Sequence, residues 1–195
     1  LESSIRRNNV NCHESGLCMR MFTPIAGLAD EEVILDGSGS LLRRPMNMDE
    51  AMNNLGAQCT AQNGFAPVRV KGRISGGSIT FEGVDGSQFL TGLLMALPLC
   101  SRDSTIEVTN LKSRPYVAMT VDILDKFGIV ISHDMGMKSF FIKGDQRYKQ
   151  SVYSVEGDWS GASFMLVAGA TGGSITAKGL NGLSHQADRS IIGAL

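Results

Sequence analysis

The sequence predicts an α/β protein assembled from copies of one βαβαββ unit, two nearly complete and a third truncated. Three observations carry that prediction. Small-residue turns followed by apolar runs recur: Glu14-Ser15-Gly16 before residues 17–26, Gly86-Ser87-Gln88 before 89–99, and Trp159-Ser160-Gly161 before 162–170. Ser15, Ser87 and Ser160 stand 72 and 73 residues apart, and self-similarity at a fixed period marks a repeated supersecondary unit. Within the first two units the internal spacing also repeats, because Gly56 and Gly128 each lie 41 residues after the serine of their unit.

In each unit the serine turn opens the first helix, and a β-branched strand follows it: Val33-Ile34-Leu35, Thr105-Ile106-Glu107-Val108 and Ser174-Ile175-Thr176. The second helix opens after Arg44-Pro45 in unit one and after Ser113-Arg114-Pro115 in unit two, with Pro near the first turn. Amphipathic stretches 48–55 and 117–127 form these helices, and Gly56 and Gly128 end them. Residues 66–71 and 137–143 supply each unit's last strand, closed by Gly72 and Gly144. Unit three is expected to begin with a strand over 153–158 and to open its second helix at Asp188, which would then run past Leu195. Only a short segment precedes the first helix, so both ends read as cut.

Composition bounds what such a chain can do. The 43% hydrophobic and 19% charged fractions, with mean hydropathy of +0.02, place it among globular chains with a packed core. A net charge of -1 excludes the global basic field that nucleic acid or anionic lipid would need, so an anion must be held by a local site. The 23 glycines exceed the usual share of roughly 7% and point to tight turns and close backbone approach. Cys12, Cys18, Cys59 and Cys100 show no metal-type spacing and read as free thiols of a reducing, cytoplasmic compartment. The longest apolar run, 89–100, is broken by Thr91, Gly92 and Pro98 and falls short of the roughly 20 residues that span a bilayer. Residues 1–7 lack a signal-peptide apolar region and an initiator Met, as an internal fragment would. His13, His133 and His185 stand in no catalytic or metal-binding pattern, and Met19, Met21, Met46, Met48 and Met52 read as core filling.

The helix starts carry the chemistry. Helix N-termini offer unpaired N–H groups and a positive dipole end, where Ser87 and Ser113 can either cap the backbone or donate to a phosphate. Equivalent helices of a repeat point their N-termini the same way, so such serines can converge on one ligand. Arg44 at a helix mouth opposes the dipole, which either a nearby anion or simple solvation of a loop arginine explains. Arg20 near the start of the first helix is similar, and Asp188 reads by itself as an N-terminal helix carboxylate.

Leu111-Lys112-Ser113-Arg114-Pro115-Tyr116, the run from Gly86-Ser87-Gln88 to Ala96, Leu41-Leu42-Arg43-Arg44-Pro45-Met46 and Glu14-Ser15-Gly16 to Arg20 together resemble the enolpyruvylshikimate-phosphate synthase family. The resemblance implies the enolpyruvyl transferase fold, an inside-out α/β barrel of two domains, each of three βαβαββ units. It implies transfer of the enolpyruvyl group from phosphoenolpyruvate to shikimate 3-phosphate in chorismate and aromatic amino acid biosynthesis, with no cofactor and no metal. It places Ser87, Gln88, Ser113 and Tyr116 on shikimate 3-phosphate, Gly16, Arg44 and Gln88 on phosphoenolpyruvate, Arg20 in support, and Asp188 as catalytic acid/base. It further implies that residues 1–152 hold two of the first domain's three units and that 153–195 open the second domain. Departures from the family pattern, Gly86 for Ser, Glu14 and Leu17 around Gly16, and Ala187 for Gly, bear on phosphate affinity and glyphosate sensitivity.

The family's remaining basic residues match nothing in these 195 positions, so the chain alone is expected to be inactive. The full-length parent is expected to be a monomer with no nucleic-acid or membrane partner. Apolar faces along 17–26 and 164–170 should lie uncovered, so that the fragment self-associates or swaps its third unit between copies. Two other readings are a UDP-N-acetylglucosamine 1-carboxyvinyltransferase-like enzyme, whose loop cysteine neither Cys18 nor Cys59 matches, and a non-catalytic phosphate-binding module.

Overall fold

The first helix forms where a serine can end it. In the computed structural model, which describes residues 8–83 and 87–195, the Ser15 hydroxyl accepts from Cys18 N–H at 3.1 Å and caps α1 (Gly16–Ala26). On either side lie β1 (Asn9–Asn11) and β2 (Val33–Asp36), paired in parallel as a helical crossover requires. A 3-10 helix (Gly39–Arg43) and the short α2 (Asp49–Asn54) lead into β3 (Gln58–Gln62) and β4 (Phe65–Lys71), an antiparallel pair whose β4 also lies against β2. The sheet order is β1-β2-β4-β3.

The second unit repeats this order. β5 (Ser78–Glu82), α3 (Gln88–Ala96), β6 (Ser104–Thr109), α4 (Arg114–Lys126), β7 (Ile131–His133) and β8 (Ser139–Ile142) give a sheet β5-β6-β8-β7, parallel only between its first two members. Gly56 and Gly128 follow the second helices at φ +105° and +79°, a conformation glycine adopts without penalty. The internal period in the sequence is thus a period in the topology.

One apolar core joins the two units. Met19, Leu35, Leu41, Met52, Leu90, Leu93, Leu94 and Phe140 are fully buried in it. Helix α3 approaches α1 so closely that a Cβ on Gly92 would stand 2.4 Å from the Met21 carbonyl oxygen, so glycine alone fits there. Four of the five clustered methionines fill this core, whereas Met21 is only half-buried. All four cysteines are free, and burial pushes the Cys12 and Cys59 thiols up to about 12 and the Cys100 thiol to about 11. Among the described residues no helix is long and apolar enough to cross a membrane.

Several expectations are corrected. Neither 153–158 nor Ser174-Ile175-Thr176 forms a strand: among the described residues no segment pairs with either, and Val155 and Ile175 lie exposed. Unit three instead contributes α5 (Trp159–Gly172), capped by Asp158 through Ser160 N–H and Gly161 N–H, and a 3-10 helix (Ala187–Gly193) in place of a second α-helix. Pro45 does not sit in the first turn of α2, which starts at Asp49, and Arg44 is the C-cap of the preceding 3-10 helix. A cation there agrees with the helix dipole, so the electrostatic objection to Arg44 disappears. The expected apolar faces are uncovered, with Leu17 51% and Phe164 79% exposed. Gly86 lies outside the described residues.

Candidate functional site

Helices α3 and α4 begin beside one another on a cavity of about 540 Å³. Ser87 and Gln88 at the start of α3, and Ser113 and Tyr116 at the start of α4, line it. Both serines occupy N-cap positions, yet neither side chain caps its helix. Among the described residues these hydroxyls have no hydrogen-bond partner, and with the first N–H groups of two helices they can serve a ligand, for which the dipoles favour an anion. Leu17, Met21, Met95 and Met119 give the cavity an apolar wall. Thr91 and Thr120 pair at 3.1 Å across the α3–α4 seam and fix the two helices' register there.

A cationic corner adjoins this cavity. Arg20 donates to Gln88 Oε1 at 3.3 Å and to the Pro45 carbonyl at 3.0 Å, tying α1 both to α3 and to the loop after Arg44. Gly16 is buried between the guanidinium groups: an added Cβ would lie 2.9 Å from Arg20 Nη1 and 3.1 Å from Arg44 Nη1. Arg44 donates to Ser40 Oγ at 3.3 Å, and Glu14 accepts from Ser40 N–H at 2.8 Å. That backbone donor, with the Ser40 hydroxyl and the Arg44 charge, holds the Glu14 carboxyl below its ordinary value.

On the other side of Tyr116 stands Asp188. The Tyr116 hydroxyl donates to Asp188 Oδ2 at 3.2 Å, linking α4 to the C-terminal 3-10 helix. Desolvation raises the Tyr116 phenol above its ordinary value, and the Asp188 charge adds to the effect. The backbone ahead of Asp188 is stapled by Gln186, whose Oε1 accepts from Trp159 N–H at 2.8 Å and whose Nε2 donates to Glu156 Oε1 and the Gly157 carbonyl at 3.0 Å. One continuous set thus runs from Asp188 through Tyr116, the cavity, Gln88 and Arg20 to Gly16 and Arg44. All eight residues expected from the sequence belong to it.

The family model for EPSP synthase (3-phosphoshikimate 1-carboxyvinyltransferase) matches residues 1–195. The chain belongs to this family. Proteins named 3-phosphoshikimate 1-carboxyvinyltransferase from Clostridium kluyveri and Clostridium acetobutylicum are 39% and 41% identical to it, over 96% and 95% of the chain. One from Methanococcus maripaludis is 39% identical over 95% of the chain. The chain spans 44% of the length of each clostridial relative. An EPSP synthase structure from Acinetobacter baumannii superimposes with a TM-score of 0.67 at 21% identity, covering 82% of this chain and 36% of that one. This likeness fixes the fold as that of the EPSP synthases, the inside-out α/β barrel.

Within an EPSP synthase family chain, the residues that sequence reading missed are those that hold the site residues in place. Ser160, noted only as a helix opener, donates to Asp188 Oδ2. Gln186 stands two positions before Asp188, but its three bonds to 156–159 were not legible, because those residues lie about 30 positions away. Thr91 in the apolar α3 and Thr120 in the amphipathic α4 carry no signal of their own.

Proposed function

We propose that this chain supplies one wall of a site that transfers the enolpyruvyl group of phosphoenolpyruvate to shikimate 3-phosphate. The observation that carries the reading is the convergence of Ser87 and Ser113 on one cavity with hydroxyls unused for capping, beside Gln88 and Tyr116. Those hydroxyls and helix N-termini bind the shikimate phosphate, and Tyr116 lies by the ring. Arg44, Gly16 and Gln88 hold phosphoenolpyruvate, and Arg20 supports them. The buried backbone of Gly16 lets a small anion reach both guanidiniums. During transfer a substrate hydroxyl oxygen bonds to C2 of phosphoenolpyruvate and the C2–O bond to phosphate breaks. Asp188 takes the hydroxyl proton, which leaves with the phosphate. Residues 1–152 are two units of the first domain and 153–195 open the second.

A site of this kind works by positioning and by charge placed from both sides of a cleft, so the chain alone should release no phosphate. The test is phosphate release from both substrates, by this chain and by the full-length protein that carries it. We expect release only by the latter, and replacing Ser87 and Ser113 by Ala should raise KM for shikimate 3-phosphate roughly 10- to 100-fold per lost bond. Phosphate binding without turnover in the full-length protein would leave a binding module and overturn the reading. The UDP-N-acetylglucosamine alternative lacks support, since Cys59 is buried in β3 and Cys18 lies within α1.

A further inference from the structure

We propose that Ser40 is a positioning residue for Arg44, holding one arm of its guanidinium so that the other faces Gly16, and that Glu14 sets the direction of this hold. This rests on Arg44 being a ligand of phosphoenolpyruvate, as read above. Arg44 is exposed and stands at the end of a short 3-10 helix, so burial does not fix a side chain with this much rotamer freedom. Its polar contacts must do so. Nη2 donates to Ser40 Oγ at 3.3 Å. Nη1 has no protein acceptor among the described residues and is the guanidinium nitrogen turned to Gly16, 3.1 Å from where a Cβ would stand. A planar fork anchored by one nitrogen has the direction of the other set as well.

A hydroxyl has a single proton to give, and Glu14 takes it. Ser38, at the N-cap of the 3-10 helix, makes no side-chain capping bond. The Glu14 carboxylate, 26 positions back, does this instead by accepting from Ser40 N–H at 2.8 Å, and it hydrogen-bonds the Ser40 hydroxyl as well. Gly39, at φ +58°, makes room, since a Cβ there would overlap the Glu14 carboxyl. An ionised carboxylate has no proton of its own, so the Ser40 hydroxyl donates to Glu14 and turns its lone pairs to Arg44. The order is fixed from Arg44 through Ser40 to Glu14. Arg20, the other guanidinium at Gly16, is held by different acceptors, Gln88 Oε1 and the Pro45 carbonyl, and Ser87 and Ser113 take no part. The relay therefore bears on one substrate, through Arg44. Ser40 touches no reacting atom and adds no step to the transfer.

The experiment is steady-state kinetics on the full-length protein with Ser40→Ala, Ser40→Thr, Glu14→Ala and the double Ala variant, each substrate being varied in turn. Ser40→Ala removes the hydroxyl but keeps the backbone N–H that Glu14 caps, so it tests the relay and spares the helix. We expect it to raise KM for phosphoenolpyruvate roughly 3- to 10-fold, with KM for shikimate 3-phosphate within about twofold and Tm unchanged, and Ser40→Thr to restore most of the loss by returning the hydroxyl. Because Glu14 and Ser40 act in one relay, the double variant should be no worse than the worse single one, within about twofold. An unchanged KM for phosphoenolpyruvate in Ser40→Ala overturns the proposal, as does a Thr variant as weak as Ala. Equal rises in both KM values, or a lower Tm, also overturn it, since that is a structural role. A double variant showing the product of the two single effects removes Glu14 from the relay and overturns the proposed order. Arg44→Ala separates this proposal from the reading beneath it: if its KM for phosphoenolpyruvate is unchanged, Arg44 is not a ligand and both fail, whereas a large rise there with none in Ser40→Ala overturns the relay alone.

Discussion

Residues 8–152 and residues 153–195 hold their shapes by different means. In the first part the apolar core runs unbroken from Cys12 to Ile142 and carries the helices that line the cavity. In the second part α5 is apolar around its whole circumference, yet only Trp159 and Gly169 are buried along it. What orders that segment is a polar frame built on Gln186, Glu156 and Asp158. The cavity-lining serines thus stand on packing, and Asp188 stands on hydrogen bonds. The difference gives a direct way to break the comparison. Phe140→Ala, at a fully buried position, should destabilise the protein by about 3–5 kcal/mol. Phe164→Ala, at a position 79% exposed, should stay within about 0.5 kcal/mol. Urea midpoints followed by far-UV circular dichroism check both, and equal losses would mean that α5 is packed in solution after all.

The same difference explains what was legible in the sequence. Period, serine turns and terminal glycines located the four helices of the first two units and four of their strands, β2, β4, β6 and β8, because there local pattern and tertiary packing agree. They failed in the third unit, where Ser174-Ile175-Thr176 reads as a strand but has no neighbour to pair with, and pairing is a property of the partner as much as of the segment. Arg44 was placed at the wrong helix end for a similar reason: the 3-10 helix Gly39–Arg43 has no apolar periodicity to announce it. The expected site residues were easier to mark than their supports. Ser87, Ser113 and Gly16 sit at helix starts that the sequence marks, whereas Ser160 reaches Asp188 across 28 positions that hold the rest of α5 and the connection after it.

A smaller effect sharpens the comparison from the polar side. Gln186→Ala removes three bonds to residues 156–159 at once and leaves Trp159 N–H, inside a half-buried junction, without its partner. Loss of such a partner costs about 1–3 kcal/mol, and here the loss should be local. Amide hydrogen exchange should accelerate roughly 5- to 100-fold over 156–162 while the amides of α1 and α3 keep their protection. Uniform acceleration across the chain would show that the two parts unfold together and that the polar frame is not a separate unit.

The smallest expected effect is one of pH, and it tests whether charge on the frame matters beyond its geometry. Glu156 accepts from Gln186 Nε2 and from Ser184 Oγ at 2.6 Å, and these donors hold its carboxyl below the ordinary 4.5. A carboxyl with a depressed value in the folded state stabilises that state above the unfolded value of 4.5, and the contribution fades as pH falls through the lower folded one. The single tryptophan, Trp159, reports on this, since its N–H is held by Gln186 and its indole N–H by the Asn181 carbonyl at 3.0 Å. Its emission should move to the red below pH 4.5 while the far-UV signal of the first two units persists, and Glu156→Gln should remove most of that acid step. Were the step to survive Glu156→Gln, the acid sensitivity would lie in the packed part instead, and the division between a core held by burial and a segment held by hydrogen bonds would fail at its most sensitive point.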